Sequence, residues 1–540
     1  MTSPPAPAAP PPSLRSDVGR LCVLVLIAAG VHWWVVANTA VTARDSVGFA
    51  RYALSLGEPS RPWAEVLRAE AHPPGYPLAV LTAHRLLPPS DQPLTDRIPF
   101  AAQVASSVAG VLAVFPVYWL GRRLFAPSAG FWAAVLLQLL PVFARDTADG
   151  LSDGPFLVCV LSAVACGVWA LDRPRVWAGL LACGVLSGLA YLVRPEGGLV
   201  PAAVGLVSLL RAGRLGFGNL VVGGSALAVG FLAVGGPYMA TIGGFTNKPA
   251  FKAETAAVPE AVGGPVFARS IPPDTAGGQR VWHTARTMGE EWLKAGHYGV
   301  AVFAVIGLLL SLRRVWREPR FWPPVLYAGG QLIAVAALGF KKGYVSERHL
   351  LPVAAVGTLF AAGGLTTWFG LWAKVPAVGR VFAWKGWPAA LCAALAVVGA
   401  VPVFTSRLHA DRAGHKEAGP KLAEAIAALT PEQQAGVVVL DHYQWCQFFS
   451  GRATATIPPD PPPERQRVVF VVLEGKEQKR EGARRWVPED PDFGSERHET
   501  AVRYYLSPPP GSAVEWVHHW PPGPPEQAKM ALVKITLPPK

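Results

Sequence analysis

Between residues 21 and 405 the chain repeats one pattern: an apolar run, mostly of about 17–25 residues, then a short polar break. A helix of that length crosses a hydrocarbon core of about 30 Å. An amphipathic helix on a soluble core would show a polar face, which these runs lack. They predict about eleven spanning helices, at 21–40, 100–120, 128–144, 155–171, 176–193, 198–210, 219–240, 298–312, 322–340, 350–373 and 386–405. The sixth of these is short. The triplet Val41-Thr42-Ala43 ends in a small residue, as cleavage sites do. The run before it, however, is longer than a signal-peptide core and carries Trp33 and Trp34, so it is read as a retained first span.

After residue 405 the pattern changes. A helix-like stretch at 415–429 precedes short β-type runs at 436–440 and 467–473, which predicts a small α/β domain. The chain then divides into a disordered, Pro/Ala-rich N-terminus (1–20), a membrane domain (21–405) and a tail domain (406–540). The fold class is a polytopic α-helical membrane protein with an appended α/β domain. No internal repeat is visible.

Charge orients this layout. With the N-terminus in the cytoplasm, Arg15 and Arg20 precede the first span. The short inside connections then carry Arg122-Arg123, Arg173 and Arg175, Arg211 and Arg214, Arg313-Arg314, and Lys374, Arg380 and Lys385. Each is basic, as the positive-inside rule requires. An odd number of spans sends the tail to the outer side of an inner (plasma) membrane, together with long loops at 41–99 and 241–297. The net charge of +13 is thereby explained by topology, and nucleic acid is not expected as a partner. Charged residues make up 16% of the chain, well below the roughly 25% of soluble domains. The six cysteines show no metal-binding spacing.

The outer side breaks the charge rule, and there the candidate chemistry gathers. Asp45 follows the first span. Arg145, Asp146, Asp149 and Asp153 lie between spans three and four. Arg194 and Glu196 lie between spans five and six. Lys341, Lys342, Glu347, Arg348 and His349 lie between spans nine and ten. Ionisable groups at such depth are costly and mark functional sites by default. Arg and Lys suit a lipid phosphate, and a carboxylate beside it can act as general base on a hydroxyl. Residues 45–54 read as a surface helix whose Phe49, Ala53 and Leu56 form an apolar stripe. The segment His72-Pro73-Pro74-Gly75-Tyr76-Pro77 reads as a rigid loop able to hold His72 or Tyr76 against a substrate.

These motifs, taken in order, resemble the GT-C membrane glycosyltransferases, in particular the bacterial protein-mannosyltransferase-like and aminoarabinose-transferase-like branch. The carrying residues are Arg44-Asp45 with Tyr52-Ala53, the stretch from His72 to Pro77, Arg145 with Leu151-Ser152-Asp153, and Arg194-Pro195-Glu196-Gly197. Pro237-Tyr238 with Gly244 and Lys248, and the run from Ser346 to Pro352, complete the set. The resemblance covers about residues 20–405. It implies a GT-C-like fold and sugar transfer from a polyprenyl-phosphate donor, beside membrane lipid, to an acceptor lipid, protein or glycan. It implies Asp45 as catalytic base, with Asp153 as a second acidic group. His72, Tyr76, Arg145, Arg194, Glu196, Lys341, Lys342, Arg348 and His349 would bind substrate. Many relatives carry Asp-Glu where this chain has Asp45-Ser46, so a two-carboxylate base does not transfer directly. No cofactor is expected, and a lone carboxylate gives a divalent metal no support.

Each residue also has a plainer reading. Asp45 can cap its helix through the dipole. Arg145 with Asp153, and Arg194 with Glu196, can be structural ion pairs. Lys341, Lys342 and Arg348 can hold anionic headgroups. Asp441, His442 and Tyr443 in the tail are triad-like only in composition, with no Ser-centred elbow. The alternatives are a lipid-linked-sugar transporter or flippase and a non-catalytic membrane scaffold whose tail binds a partner; transporters often show repeats and charges near the bilayer midplane, whereas these charges cluster at outer ends.

Overall fold

The computed structural model describes residues 14–173, 176–248, 277–342, 344–375, 381, 384–441, 444–451, 465–477, 484–488, 508–523 and 528–538. Each predicted span falls on helix. The first is α1 (Leu14–Ala37). The predicted outer loop that follows is largely helical: α2 (Arg44–Gly57), α3 (Trp63–Ala69) and α4 (Gly75–Leu86). Gly75-Tyr76-Pro77, expected as rigid loop, forms the first turn of α4. Prolines suit that position because a first-turn N–H needs no helical partner.

Next come α5 (Leu94–Leu112) and α6 (Val114–Leu124), then α7 (Pro127–Gln138) and α8 (Pro141–Asp146). The apolar run expected as one span at 128–144 is therefore broken, because Pro141 cannot donate a hydrogen bond inside a continuous helix. The chain continues with α9 (Asp153–Leu171), α10 (Trp177–Val193), α11 (Leu199–Leu210), α12 (Ala212–Leu215), α13 (Phe217–Ile242), α14 (Gly277–Ala295), α15 (Gly299–Arg317), α16 (Trp322–Lys342), α17 (Glu347–Trp372) and α18 (Trp387–Thr405). Among the described residues, eight helices are long and apolar enough to cross a membrane, α5 with α6 counting as one. The predicted spans at 128–144, 176–193 and 198–210 correspond to shorter helices. The chain is a multi-pass membrane protein.

Helix α17 stands at the centre: 89% of its apolar window is buried, against 17% for α13 and 22% for α18. Small residues let backbones touch where lipid offers no hydrophobic drive between helices. A Cβ on Gly364 of α17 would lie 2.2 Å from the Cα of Gly307 in α15. The same device joins α10 to α13, where a Cβ on Gly184 would meet the Leu227 carbonyl at 2.2 Å.

The tail holds α19 (Ala413–Ala427), α20 (Pro431–Ala435), β1 (Val437–Leu440), α21 (Trp445–Phe449), β2 (Val468–Glu477), β3 (Arg484–Pro488), β4 (Ala513–Trp520) and β5 (Met530–Thr536). The strand order is β1-β2-β5-β4, with β3 also on β2. The β1–β2 pair is parallel, in register Val437 with Val468, and the other pairs are antiparallel. Helix α19 packs Ala418, Leu422 and Ile426 onto Phe470, Val472 and Leu532 of the sheet. Strands β3, β4 and β5 were not among the elements expected from the sequence.

Candidate active site

Three helix N-termini point carboxylates toward one region. Asp45 lies in the first turn of α2, Asp153 in that of α9 and Glu347 in that of α17. The partial positive charge of a helix N-terminus favours an ionised carboxylate. Arg348 sits in the same first turn of α17, where a cation is electrostatically misplaced. It is held there by two acids: its Nη1 donates to Asp45 Oδ2 at 2.7 Å and its Nε to Asp153 Oδ2 at 2.6 Å. Asp153 uses its other oxygen on Arg194, whose Nη2 lies 2.7 Å from Oδ1. Arg194 also donates through Nε to Ser152 Oγ at 2.9 Å and stacks over Phe156. The result is an unbroken chain Asp45–Arg348–Asp153–Arg194, drawn from α2, α17, α9 and the end of α10.

Exposure separates the two acids. The Asp153 side chain is 2% exposed and that of Asp45 46%. His72 is solvent-accessible as well. Yet desolvation is the largest influence on both Asp45 and His72. Burial raises the Asp45 carboxyl, but the Arg348 guanidinium, with His72 and Arg44 behind it, wins and holds it below the ordinary carboxylate range. Burial and Lys248 push His72 down to about 4, so its ring is neutral at pH 7.

A second lobe adjoins the first. Glu196, in the 3-10 turn Pro195–Gly198, pairs with Lys248 Nζ at 3.5 Å. Burial lowers Lys248, with Arg194 and Arg348 adding to this while Glu196 opposes it. His349 Nδ1 accepts from the Ser346 N–H at 3.3 Å and so closes the cap of α17. A third group lies at α8: Arg145 bonds Asp146 at 2.8 Å and Glu347 at 2.9 Å. Glu291 of α14 accepts the Glu347 N–H at 2.7 Å.

The structure thus brings Asp45, Asp153, Arg194 and Arg348 into direct contact and sets Glu196, His72 and His349 beside them. Tyr76 is a buried anchor: its hydroxyl donates to the Ala102 carbonyl at 3.0 Å and its ring meets Phe49 edge-on. Arg145 reaches the cluster through Glu347, the neighbour of Arg348. Lys341 is exposed at the end of α16 and joins no ion pair of this set among the described residues. The side chain of Lys342 lies outside the described residues, as do His442 and Tyr443. A lysine that the site does contain, Lys248, stood in the motif set but not among the expected binding residues. Its position far along the chain from Glu196 gave no local signal. Among the described residues, no three or more His, Cys, Asp or Glu side chains form a group able to hold a metal. Two cavities, of about 410 and 320 Å³, lie elsewhere, at the seam between α5 and the tail, where Lys416 pairs with Asp96 at 2.6 Å.

Comparison with known proteins places this arrangement. A family described as dolichyl-phosphate-mannose-protein mannosyltransferase matches residues 94–234. No curated protein sequence matches the chain. The structure is similar to ArnT from Cupriavidus metallidurans bound to undecaprenyl phosphate, with a TM-score of 0.56 at 15% identity, over 97% of this chain and 98% of that one. It is also similar to the apo oligosaccharyltransferase of Archaeoglobus fulgidus, at 0.53 and 13%, over 94% of this chain and 80% of that one. For the same oligosaccharyltransferase tethered to an acceptor peptide the figures are 0.52 and 15%, over 83% of this chain and 60% of the other, so this chain spans less than two thirds of that relative's length. At these identities the likeness shows the fold: the chain has the GT-C fold that its motifs anticipated.

Proposed function

We propose that this GT-C-fold chain is a membrane glycosyltransferase that moves one sugar from a polyprenyl-phosphate donor to a hydroxyl acceptor at the outer face of the membrane. The observation that carries the reading is the chain Asp45–Arg348–Asp153–Arg194, ending in a carboxylate open to solvent. The ligand of the structurally similar ArnT, undecaprenyl phosphate, is of the donor class this site would take. Residues 21–405 form the catalytic membrane domain in this reading, with residues 1–20 cytoplasmic and 406–540 extracytoplasmic, in an inner (plasma) membrane. The basic short connections support that orientation.

The cations Arg348, Arg194 and Lys248 are each already engaged by a carboxylate. An entering phosphate must therefore displace one acid. Asp153 is buried and holds both guanidiniums, whereas Asp45 is the most open member. The phosphate takes Arg348 Nη1 from Asp45. That removes the charge that depresses Asp45 and raises its basicity only once the donor is bound. The acceptor oxygen then attacks C1 of the sugar. The C1–O bond to phosphate breaks, its electron pair leaves on the phosphate, and the hydroxyl proton passes to Asp45. A single displacement inverts C1. Fixed cations stabilise the charge on the leaving phosphate, the largest electrostatic contribution expected at such a site. Asp153 acts through the two guanidiniums it holds. With Arg348 turned to the phosphate and Arg194 and Lys248 beside it, the reading for a monophosphate leaving group is metal-independent.

The test is transfer in liposomes from radiolabelled hexosyl and pentosyl polyprenyl phosphates to membrane lipid and protein extracts. Label in a new glycosidic bond is expected. Flux of labelled lipid across the bilayer with no new bond sinks the reading.

A further inference from the structure

The helix that carries Asp45 is fastened to the tail domain at two points. At its N-terminus, the Ala43 N–H donates to Asp149 Oδ1 at 2.9 Å, and the other oxygen of Asp149 lies 2.7 Å from His409 Nε2, just after α18. Asp149 is 2% exposed, so its two partners account for its burial. The neighbouring backbones also join: Ala40 donates to the Leu408 carbonyl and Leu408 to that of Asn38, each at 3.0 Å. About two turns into α2, the buried Arg51 donates through Nη1 to Gln444 Oε1 and lies over the Phe448 ring at 5.9 Å. Asp441 is close enough to act on its charge.

The tail residues that make these contacts are strained. His409 has φ of 51° and Gln444 φ of 62°, a region that side chains with a Cβ seldom adopt without compensation. Gly150, with φ of 71°, follows Asp149, and a Cβ there would meet Ser46 Oγ at 2.5 Å. The loop that carries Asp149 thus continues, past the turn against α2, into Asp153. One short segment holds the helix of Asp45 with one carboxylate and the two guanidiniums with the other.

We infer that the tail domain is a working part of the active site: His409, through Asp149, and Gln444, through Arg51, are positioning residues that hold α2 so that Asp45 meets the acceptor. The inference rests on the glycosyltransferase reading for its catalytic half. Reacting groups misplaced by about 1 Å lose up to about a hundredfold in rate.

The experiment compares the full-length wild type with His409→Ala/Gln444→Ala in liposomes, by transfer kinetics and by hydrogen exchange over residues 43–57. The double variant should exchange faster there, lose about tenfold or more in kcat and keep its donor KM within about twofold, because no phosphate-binding cation is touched. His409→Gln, whose amide can donate to Asp149, should restore most of the rate in a Gln444 background. Unchanged exchange over 43–57 overturns the inference. Faster exchange with unchanged kcat overturns it too, since the tie would then be structural only. A wild type that transfers no sugar removes the transferase reading instead, and the exchange comparison alone then decides whether the tail holds α2.

Discussion

Arg348→Ala tests the displacement of Asp45 by the donor phosphate. The side chain makes two charge-assisted bonds, to Asp45 and to Asp153. A hydrogen bond to a charged group is worth about 1.5–3 kcal/mol, so losing the phosphate contact alone would weaken donor binding roughly 10- to 150-fold. In the wild type the phosphate must first break the bond to Asp45, which offsets part of that gain. The net loss in the variant is therefore expected near the lower end, about tenfold. The pH profile is more diagnostic. In the free wild type, Arg348 holds the Asp45 carboxyl below its ordinary value, so the acid limb of kcat/KM lies below the ordinary carboxylate range. With donor bound, Arg348 is turned to phosphate, and the acid limb of kcat lies higher. In Arg348→Ala, burial acts on Asp45 without its main opponent, so the limb of kcat/KM rises toward that of kcat. The sign for stability agrees: a depressed carboxylate stabilises the fold above its unfolded pKa, and this contribution fades as pH falls through the folded value. The variant lacks it. The assay is transfer in liposomes across pH, with binding of polyprenyl phosphate measured in parallel. If the two limbs already coincide in the wild type, or if the variant leaves the kcat/KM limb where it was, the displacement step is refuted.

Other expectations follow from the same geometry. Asp153→Ala leaves two guanidiniums facing each other without their shared acid, and should cost about 3–5 kcal/mol of stability, read as a lower thermal midpoint in detergent; an unchanged midpoint would mean that water carries those charges already. Gly150→Ala forces a Cβ into the left-handed region and against Ser46 Oγ. It should cost about 1–2 kcal/mol of local strain and lower kcat while donor binding holds, and normal turnover would show that the turn is not set against α2. Gly364→Val should destabilise the α15–α17 contact, where the backbones leave no room for a side chain; wild-type unfolding behaviour would contradict that packing.

Much of this molecule was legible in one dimension because lipid allows so few solutions. Long apolar runs without a polar face read as spans, and each landed on helix. The site was legible as a set of exceptions: Asp45, Asp153, Arg194 and Arg348 stood out because ionised groups at the ends of membrane-spanning helices are costly. Their pairing was not legible, since Asp45 and Arg348 lie 303 positions apart and no local pattern joins them. Lys248, 52 positions from its partner Glu196, was hidden in the same way, while Lys341, nearer to Arg348 in sequence, is exposed and joins no ion pair of the site among the described residues. Pro141 broke a span that composition alone made continuous. Strand β5 was overlooked because Met530–Thr536 is a buried, mostly apolar run without period-two alternation, set between proline-rich stretches. Helix α14 was missed inside a loop assigned by exclusion between two spans.

The central claim is that the open carboxylate at the end of the ionic chain does the chemistry, and Asp45→Asn addresses it directly. The amide keeps the shape and can still accept from Arg348. The account predicts that the variant folds, binds polyprenyl phosphate within a few-fold of the wild type, and loses roughly 10²- to 10⁴-fold in transfer rate. Sugar transfer at the wild-type rate by Asp45→Asn would contradict it.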